Sequence, residues 1–168
     1  MGCDDMDIHG ILLATDFSDC SSAALDVASR LASETGARLN IVHVDGLVEI
    51  SIPAIPPAEP AYYDAPWGYE RREVRERLEN IVPTVANVGY EHCYLTGFPV
   101  AELLKCAERN DSDLIVIGSH GRSGLSRLIM GSVAEGVMRG ASCPVLIVKP
   151  PAATLKDESD DIPAAITA

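Results

Sequence analysis

Glycine and serine at a particular spacing give this chain its clearest chemistry. Gly118 and Gly121 are separated by two residues, and nine more lead to Gly131, which Ser132 follows. Without a Cβ, glycine lets an anion's oxygens approach the backbone and lets amides turn toward them. Gly118 ends the apolar run Leu114-Ile115-Val116-Ile117, which reads as a buried parallel strand, and Gly131 opens a stretch in which Val133, Val137 and Met138 recur at helical spacing. The unsatisfied amides and the dipole of a helix start favour negative charge, and the Ser132 hydroxyl adds a donor. A strand end, a glycine loop and a helix start in succession therefore predict a phosphate cradle. Within the loop, Arg122 or Arg127 could neutralise a phosphate chain, although an arginine left in solvent fits equally well. Asp16 stands at the end of an earlier strand, where its carboxylate suits a ribose hydroxyl or a metal held by phosphates. Capping the next helix is its alternative role.

Other chemistries lack their residues. The chain has no Gly-x-x-x-x-Gly-Lys-Ser/Thr and no Gly-x-Gly-x-x-Gly after the first strand, which argues against a P-loop ATPase and a dinucleotide enzyme. No nucleophile elbow stands out. His43 and His120 have no i,i+4 histidine partner or cysteine cluster, which disfavours zinc.

The elements that must position the cradle alternate along the chain. Ile8 to Ala14, with Ile11-Leu12-Leu13 at its centre, reads as the first strand. Ser18 or Asp19 caps a helix carrying Ala24, Leu25, Ala28, Leu31 and Ala32, and Gly36 stops it. Leu39 to Val44 is a second strand, completing a right-handed βαβ unit. Residues 45–68 hold five prolines (Pro53, Pro56, Pro57, Pro60, Pro66) together with Tyr62, Tyr63 and Trp67, and read as an extended surface insertion. The spacing predicts a helix over 70–88, with Val74, Leu78, Ile81, Val82 and Val85 on its apolar side, Pro83 as its weak point, and charges forming i,i+4 pairs on the outer face. A third strand (90–95), a third helix (99–109), a fourth strand (113–117) and a fifth (144–148) follow. This pattern predicts an α/β fold, an open, mostly parallel sheet covered by helices on both faces. In such sheets ligands bind beyond the carboxyl ends of strands where the strand order reverses, so the loops at Thr15-Asp16 and Gly118 become candidate walls of one site.

Bulk properties narrow the partners. A formal net charge of -12 argues against nucleic acid and against an anionic membrane surface. No apolar stretch approaches the roughly 20 residues of a membrane span. The five cysteines are scattered without a C-x-x-C pair, as expected of reduced thiols in a cytoplasmic protein. The Ala- and Asp-rich residues 150–168 read as a disordered acidic tail.

The pattern Gly118, Gly121, Gly131 and Ser132 resembles the ATP-binding branch of the universal stress protein family. The opening Ile11-Leu12-Leu13-Ala14-Thr15-Asp16-Phe17-Ser18, the second strand ending in His43-Val44, the Gly97-Phe98-Pro99 turn and the closing Cys143-Pro144-Val145-Leu146-Ile147-Val148 are also similar to it, over roughly residues 7–149. The resemblance implies a single Rossmann-like domain with five parallel strands in the order 3-2-1-4-5. It also implies a bound adenine nucleotide (ATP, or AMP or ADP), with Mg2+ or Mn2+ on its phosphates. Ala14, Thr15 and Asp16 would line the adenosine, Val44 the adenine, Ile117 and Gly118 the ribose side, and Gly121, Gly131, Ser132 and Val133 the phosphates. A homodimer through the strand Pro144–Val148 is a further implication. The expected role is a nucleotide sensor or switch with at most slow hydrolysis; an ATP-using enzyme and a nucleotide-free dimeric scaffold are the alternatives.

Overall fold

A computed structural model of the chain describes residues 7–46, 67–119 and 131–149. The elements run β1 (Gly10–Ala14), α1 (Asp19–Thr35), β2 (Arg38–Gly46), α2 (Trp67–Glu79), β3 (Tyr90–Gly97), α3 (Pro99–Arg109), β4 (Leu114–Gly118), α4 (Ser132–Gly140) and β5 (Val145–Val148). All strand pairs are parallel and the order is β3-β2-β1-β4-β5. The sheet therefore reverses direction of growth at β1, where β2 lies on one side and β4 on the other.

Alternation along the strands divides the core between two faces. Ile11, Leu13, Leu39, Ile41, Leu114 and Val116 meet Ala24, Ala28 and Ala32 of α1 and Leu78 of α2. Leu12, Ala14, Val42, Ile115 and Ile117 meet Leu103, Cys106 and Ala107 of α3 and Ala134 and Val137 of α4. Each fully buried Leu or Ile contributes about 1.5–3 kcal/mol of transfer free energy, and among the described residues β1 (Ile11, Leu12, Leu13) and β2 (Leu39, Ile41) carry most of them. On α1 the alanine stripe lets the helix lie close to the sheet. Its ends are set as the residues predict: the Ser18 side chain accepts from the Ser21 amide, and Gly36 closes the helix with φ of 74°.

Two boundaries differ from the sequence reading. α2 stops at Glu79 instead of running to Val88. Pro83 cannot donate a backbone bond and turns Val82 away from helical geometry. The chain after it is tied to α1 instead, the Thr84 amide donating to Ser29 Oγ at 3.1 Å and the Thr84 hydroxyl to Asp26 at 2.9 Å. Val82, expected on an apolar face, is exposed, and so is Met138 on α4. The ends of the stretch read as an insertion belong to regular elements, Asp45 and Gly46 to β2 and Trp67 and Gly68 to α2; residues 47–66 lie outside the described residues, as do 150–168.

Candidate functional site

At the switch point β1 and β4 end side by side, Ala14 opposite Ile117, and β2 continues past them with Val42 opposite Ala14. The chain after β1 turns into α1 on one face of the sheet, and the chain after β4 leads to α4 on the other. The gap left between them is a cavity of about 420 Å³, within the ~300–1,000 Å³ range of small-molecule sites. Its wall brings together Ala14, Thr15, Asp16, Val44, Ile117, Gly118, Gly131, Ser132 and Val133, all of which the sequence singles out. Gly121 and Arg127 lie outside the described residues. The wall also includes residues that the sequence reading did not select for the site: Ser21, Val42, His43, Asp45, Gly46, Pro99, Leu103, Ser119 and Ala134. A signal for some of them existed, since β2 and the Gly97-Phe98-Pro99 turn end on the same side of the sheet as β1.

Each part of the wall has a local cause. The Thr15 amide donates to the Val42 carbonyl at 2.9 Å, which carries the β1–β2 ladder one residue past Ala14. The Thr15 hydroxyl donates to Ser21 Oγ at 3.2 Å and accepts from the Phe17 amide at 3.1 Å. Asp16 Oδ1 accepts from the Ser18 amide at 3.1 Å and the Ser18 hydroxyl at 2.6 Å. Asp16 is thus neither a direct helix cap nor excluded from the cavity; it fixes the capping serine while standing in the wall. His43 is buried, and its Nδ1 lies 2.7 Å from the Thr15 carbonyl oxygen. A carbonyl only accepts, so Nδ1 carries the hydrogen. On the rim, the Tyr94 hydroxyl donates to Asp45 Oδ2 at 2.7 Å. Burial and then this bond to a carboxylate hold the phenol above its usual titration range.

The opposite wall is the start of α4. Gly131 is its N-cap, with φ -61° and ψ 146°, and as a glycine it brings no side chain to cap the first turn. The Gly131 amide is spent on the Ser119 carbonyl at 2.8 Å, and Ser119 donates its own amide to Val148 at 2.8 Å. The amides of Ser132, Val133 and Ala134 follow at the helix's positive end. Gly118 has a second constraint besides its place in the cavity wall. A Cβ there would stand 2.9 Å from both the carbonyl carbon and the Cβ of Cys20, so the glycine accommodates the first turn of α1. The cavity thus has an apolar floor (Ala14, Val42, Val44, Leu103, Ile117), a polar corner at Thr15-Asp16 and a helix start facing it.

The model of the universal stress protein family matches residues 8–149. The chain belongs to that family. It is 37% identical over 144 residues to the universal stress protein YxiE of Bacillus subtilis, covering 83% of this chain and 97% of that one. The solved structure of MJ0577, a universal stress protein of Methanocaldococcus jannaschii, superposes with a TM-score of 0.68 at 25% identity, covering 86% of this chain and 98% of that one. A universal stress protein crystallised in complex with cAMP superposes with a TM-score of 0.55 at 27% identity, over 86% and 99% of the two chains. As a universal stress protein, the chain has the five-stranded parallel sheet of these relatives in the order 3-2-1-4-5, with four helices among the described residues. The cavity lies where that order reverses.

Proposed function

We propose that this family member is an adenine-nucleotide-binding regulatory protein, an ATP sensor or switch in the stress response that hydrolyses its ligand slowly at most. The observation that carries the reading is the pairing of an apolar floor with the glycine-capped start of α4, across a cavity of about 420 Å³. A planar base suits the floor, and a phosphate chain suits amides at the positive end of a helix. The relative crystallised with cAMP supports an adenine nucleotide as the class of ligand. In this reading Ala14, Thr15 and Asp16 line the adenosine and Val44 the base. Ile117 and Gly118 lie on the ribose side, and Gly121, Arg127, Gly131, Ser132 and Val133 on the phosphates. The nucleotide-binding domain spans 7–149, with the proline-rich insertion confined to the stretch between β2 and α2 and 150–168 as a tail.

A divalent ion fits this donor set only in company with the nucleotide. Among the described residues no three His, Cys, Asp or Glu side chains converge, and Asp16 Oδ1 is engaged by Ser18. Mg2+ or Mn2+ would take most of its ligands from phosphate oxygens and would supply charge neutralisation there. Retention of the nucleotide is favoured over its consumption, because Asp16, the carboxylate at the Thr15-Asp16 corner, is committed to holding the α1 cap.

The proposal includes a homodimer through β5, which has one neighbour in the sheet and leaves Leu146 exposed; a monomer mass at sedimentation equilibrium would remove this part. It also places the protein in the cytoplasm: no helix among the described residues is long and apolar enough to cross a membrane, and imaging of the tagged protein tests the compartment. The decisive test of the ligand is mass spectrometry of small molecules released from gently purified protein, with Gly131→Val beside it. The Gly131 backbone conformation is open to any residue, so the variant is expected to fold with an unchanged circular dichroism spectrum and to lose bound nucleotide. Normal ATP binding by Gly131→Val would sink the cradle assignment.

A further inference from the structure

Phe17 stands one residue past Asp16 with φ of 66°, a left-handed backbone that a bulky side chain adopts only when its surroundings impose it. Four contacts do so. The Phe17 amide donates to Thr15 Oγ1 at 3.1 Å, and the ring lies against His43 with centroids 4.4 Å apart. The Arg77 guanidinium sits over the same ring, 4.6 Å from its centroid, and Nη2 donates to the Phe17 carbonyl at 3.3 Å. Arg77 belongs to α2 and stands outside the wall of the large cavity. Spacing along α2 predicts pairs within the helix, yet its arginines reach off it: Arg75 lies over the Tyr94 ring at 4.0 Å, and Arg71 Nε stands 3.6 Å from Asp45 Oδ2. The α2 helix is therefore fastened to the Thr15–Phe17 turn and to Asp45, two parts of the site's rim. Behind the turn is a second, smaller cavity of about 150 Å³ whose lining includes Thr15, Phe17, Ser21 and Arg77. Thr15 and Ser21 line both cavities, so the turn has space to relax into if Arg77 is withdrawn.

We propose that Arg77 is a positioning residue: by holding the Phe17 ring and carbonyl it keeps the Thr15–Phe17 turn in the left-handed geometry that shapes the nucleotide cavity, and so couples the seating of α2 to occupancy of that cavity. The coupling rests on the nucleotide reading above; the hold on the turn does not. By linkage the effect is reciprocal, nucleotide steadying α2 as α2 steadies the site.

The test compares the full chain as wild type, Arg77→Ala and Arg77→Lys, with Arg72→Ala as a control on the same helix. Hydrogen exchange at the Phe17 and Ser18 amides is read without ligand, and ATP affinity by calorimetric titration. Arg77→Ala is expected to speed exchange at those two amides and to weaken ATP about three- to tenfold, as loss of an exposed cation–ring contact with its hydrogen bond implies. Arg77→Lys, which keeps a cation and a donor, recovers most of both, and Arg72→Ala changes neither. ATP is expected to slow exchange along α2 more in the wild type than in Arg77→Ala. Unchanged exchange at Phe17 and Ser18, or faster exchange spread equally over β1, overturns the proposal. Local acceleration with unaltered ATP affinity overturns the coupling. A wild type that does not bind ATP refutes the nucleotide reading instead, and the exchange measurement still decides whether Arg77 holds the turn.

Discussion

Gly118 shows how one residue type admits two explanations that only packing separates. The sequence places it at the head of a phosphate-binding pattern, which suggests room for a ligand oxygen. In the fold, the space that its missing Cβ leaves is taken up by the backbone of Cys20. Backbone cannot rotate out of the way as a side chain can, so Gly118→Ala is expected to cost about 1–3 kcal/mol, seen as a lowered melting temperature; an unchanged melt would show that α1 shifts freely. Asp113 makes a comparable case in electrostatics. Its carboxylate accepts from the His9 amide at 2.8 Å and the Gly10 amide at 3.0 Å, and these bonds hold its pKa below the ordinary range. The stabilisation is present above about pH 4, the unfolded value, and is lost as pH falls through the lower folded value. Urea titrations should therefore show Asp113→Asn less stable than wild type at pH 7, with the gap closing in acid; a gap that stays constant with pH would refute this. Neither residue's role was legible in the sequence, because both depend on a partner about a hundred positions away.

Elements were more legible than residues. The strands β1, β2 and β4 announce themselves as short apolar runs because both of their faces are buried, and α1 and α3 by apolar spacing with recognisable ends. The end of α2 was only partly legible: Pro83 marked a weak point, but Ile81, Val82, Val85 and Val88 continue the apolar spacing past Glu79, and the tie from Thr84 to α1 that fixes the chain there is non-local. Contact between α3 and α4 has its own device. A Cβ at Gly136 would stand 2.7 Å from Val100 Cγ2, and one at Gly140 would stand 2.6 Å from Leu104 Cδ1. Replacing glycine inside a helix by alanine gains about 1 kcal/mol of intrinsic propensity. The Leu104 tip can rotate aside, whereas Val100 is branched at Cβ and has essentially one helical rotamer. Gly140→Ala is thus expected to be near neutral, and Gly136→Ala to destabilise by about 1–2 kcal/mol net in urea melts. Equal effects of the two would contradict the rotamer argument. Because Pro99 and Leu103 stand in one wall and Ser132 to Ala134 in another, any spreading of this helix pair also widens the cavity.

For the whole molecule, the sheet's reversal at β1 is what brings residues about a hundred positions apart to one rim. The alternating pattern made that reversal predictable in kind, and the family resemblance supplied its order. His43 and Asp45 were missed as rim residues because a strand's last turn of side chains shows its direction only once its neighbours are in register. If the cavity holds ATP as proposed, ligand at 100 times its dissociation constant should raise the unfolding free energy by about 2.7 kcal/mol, measured as a rise in melting temperature; no rise with any adenine nucleotide would favour a scaffold. Ser119 carries a wider consequence. Its amide is bonded to Val148 at 2.8 Å and its carbonyl to the Gly131 amide at 2.8 Å, so the chain leaves the frame and rejoins it at a single fixed post. The head of α4 is thereby moored to the edge strand through one residue, so that a partner settling on β5 would be felt at the mouth of the cavity.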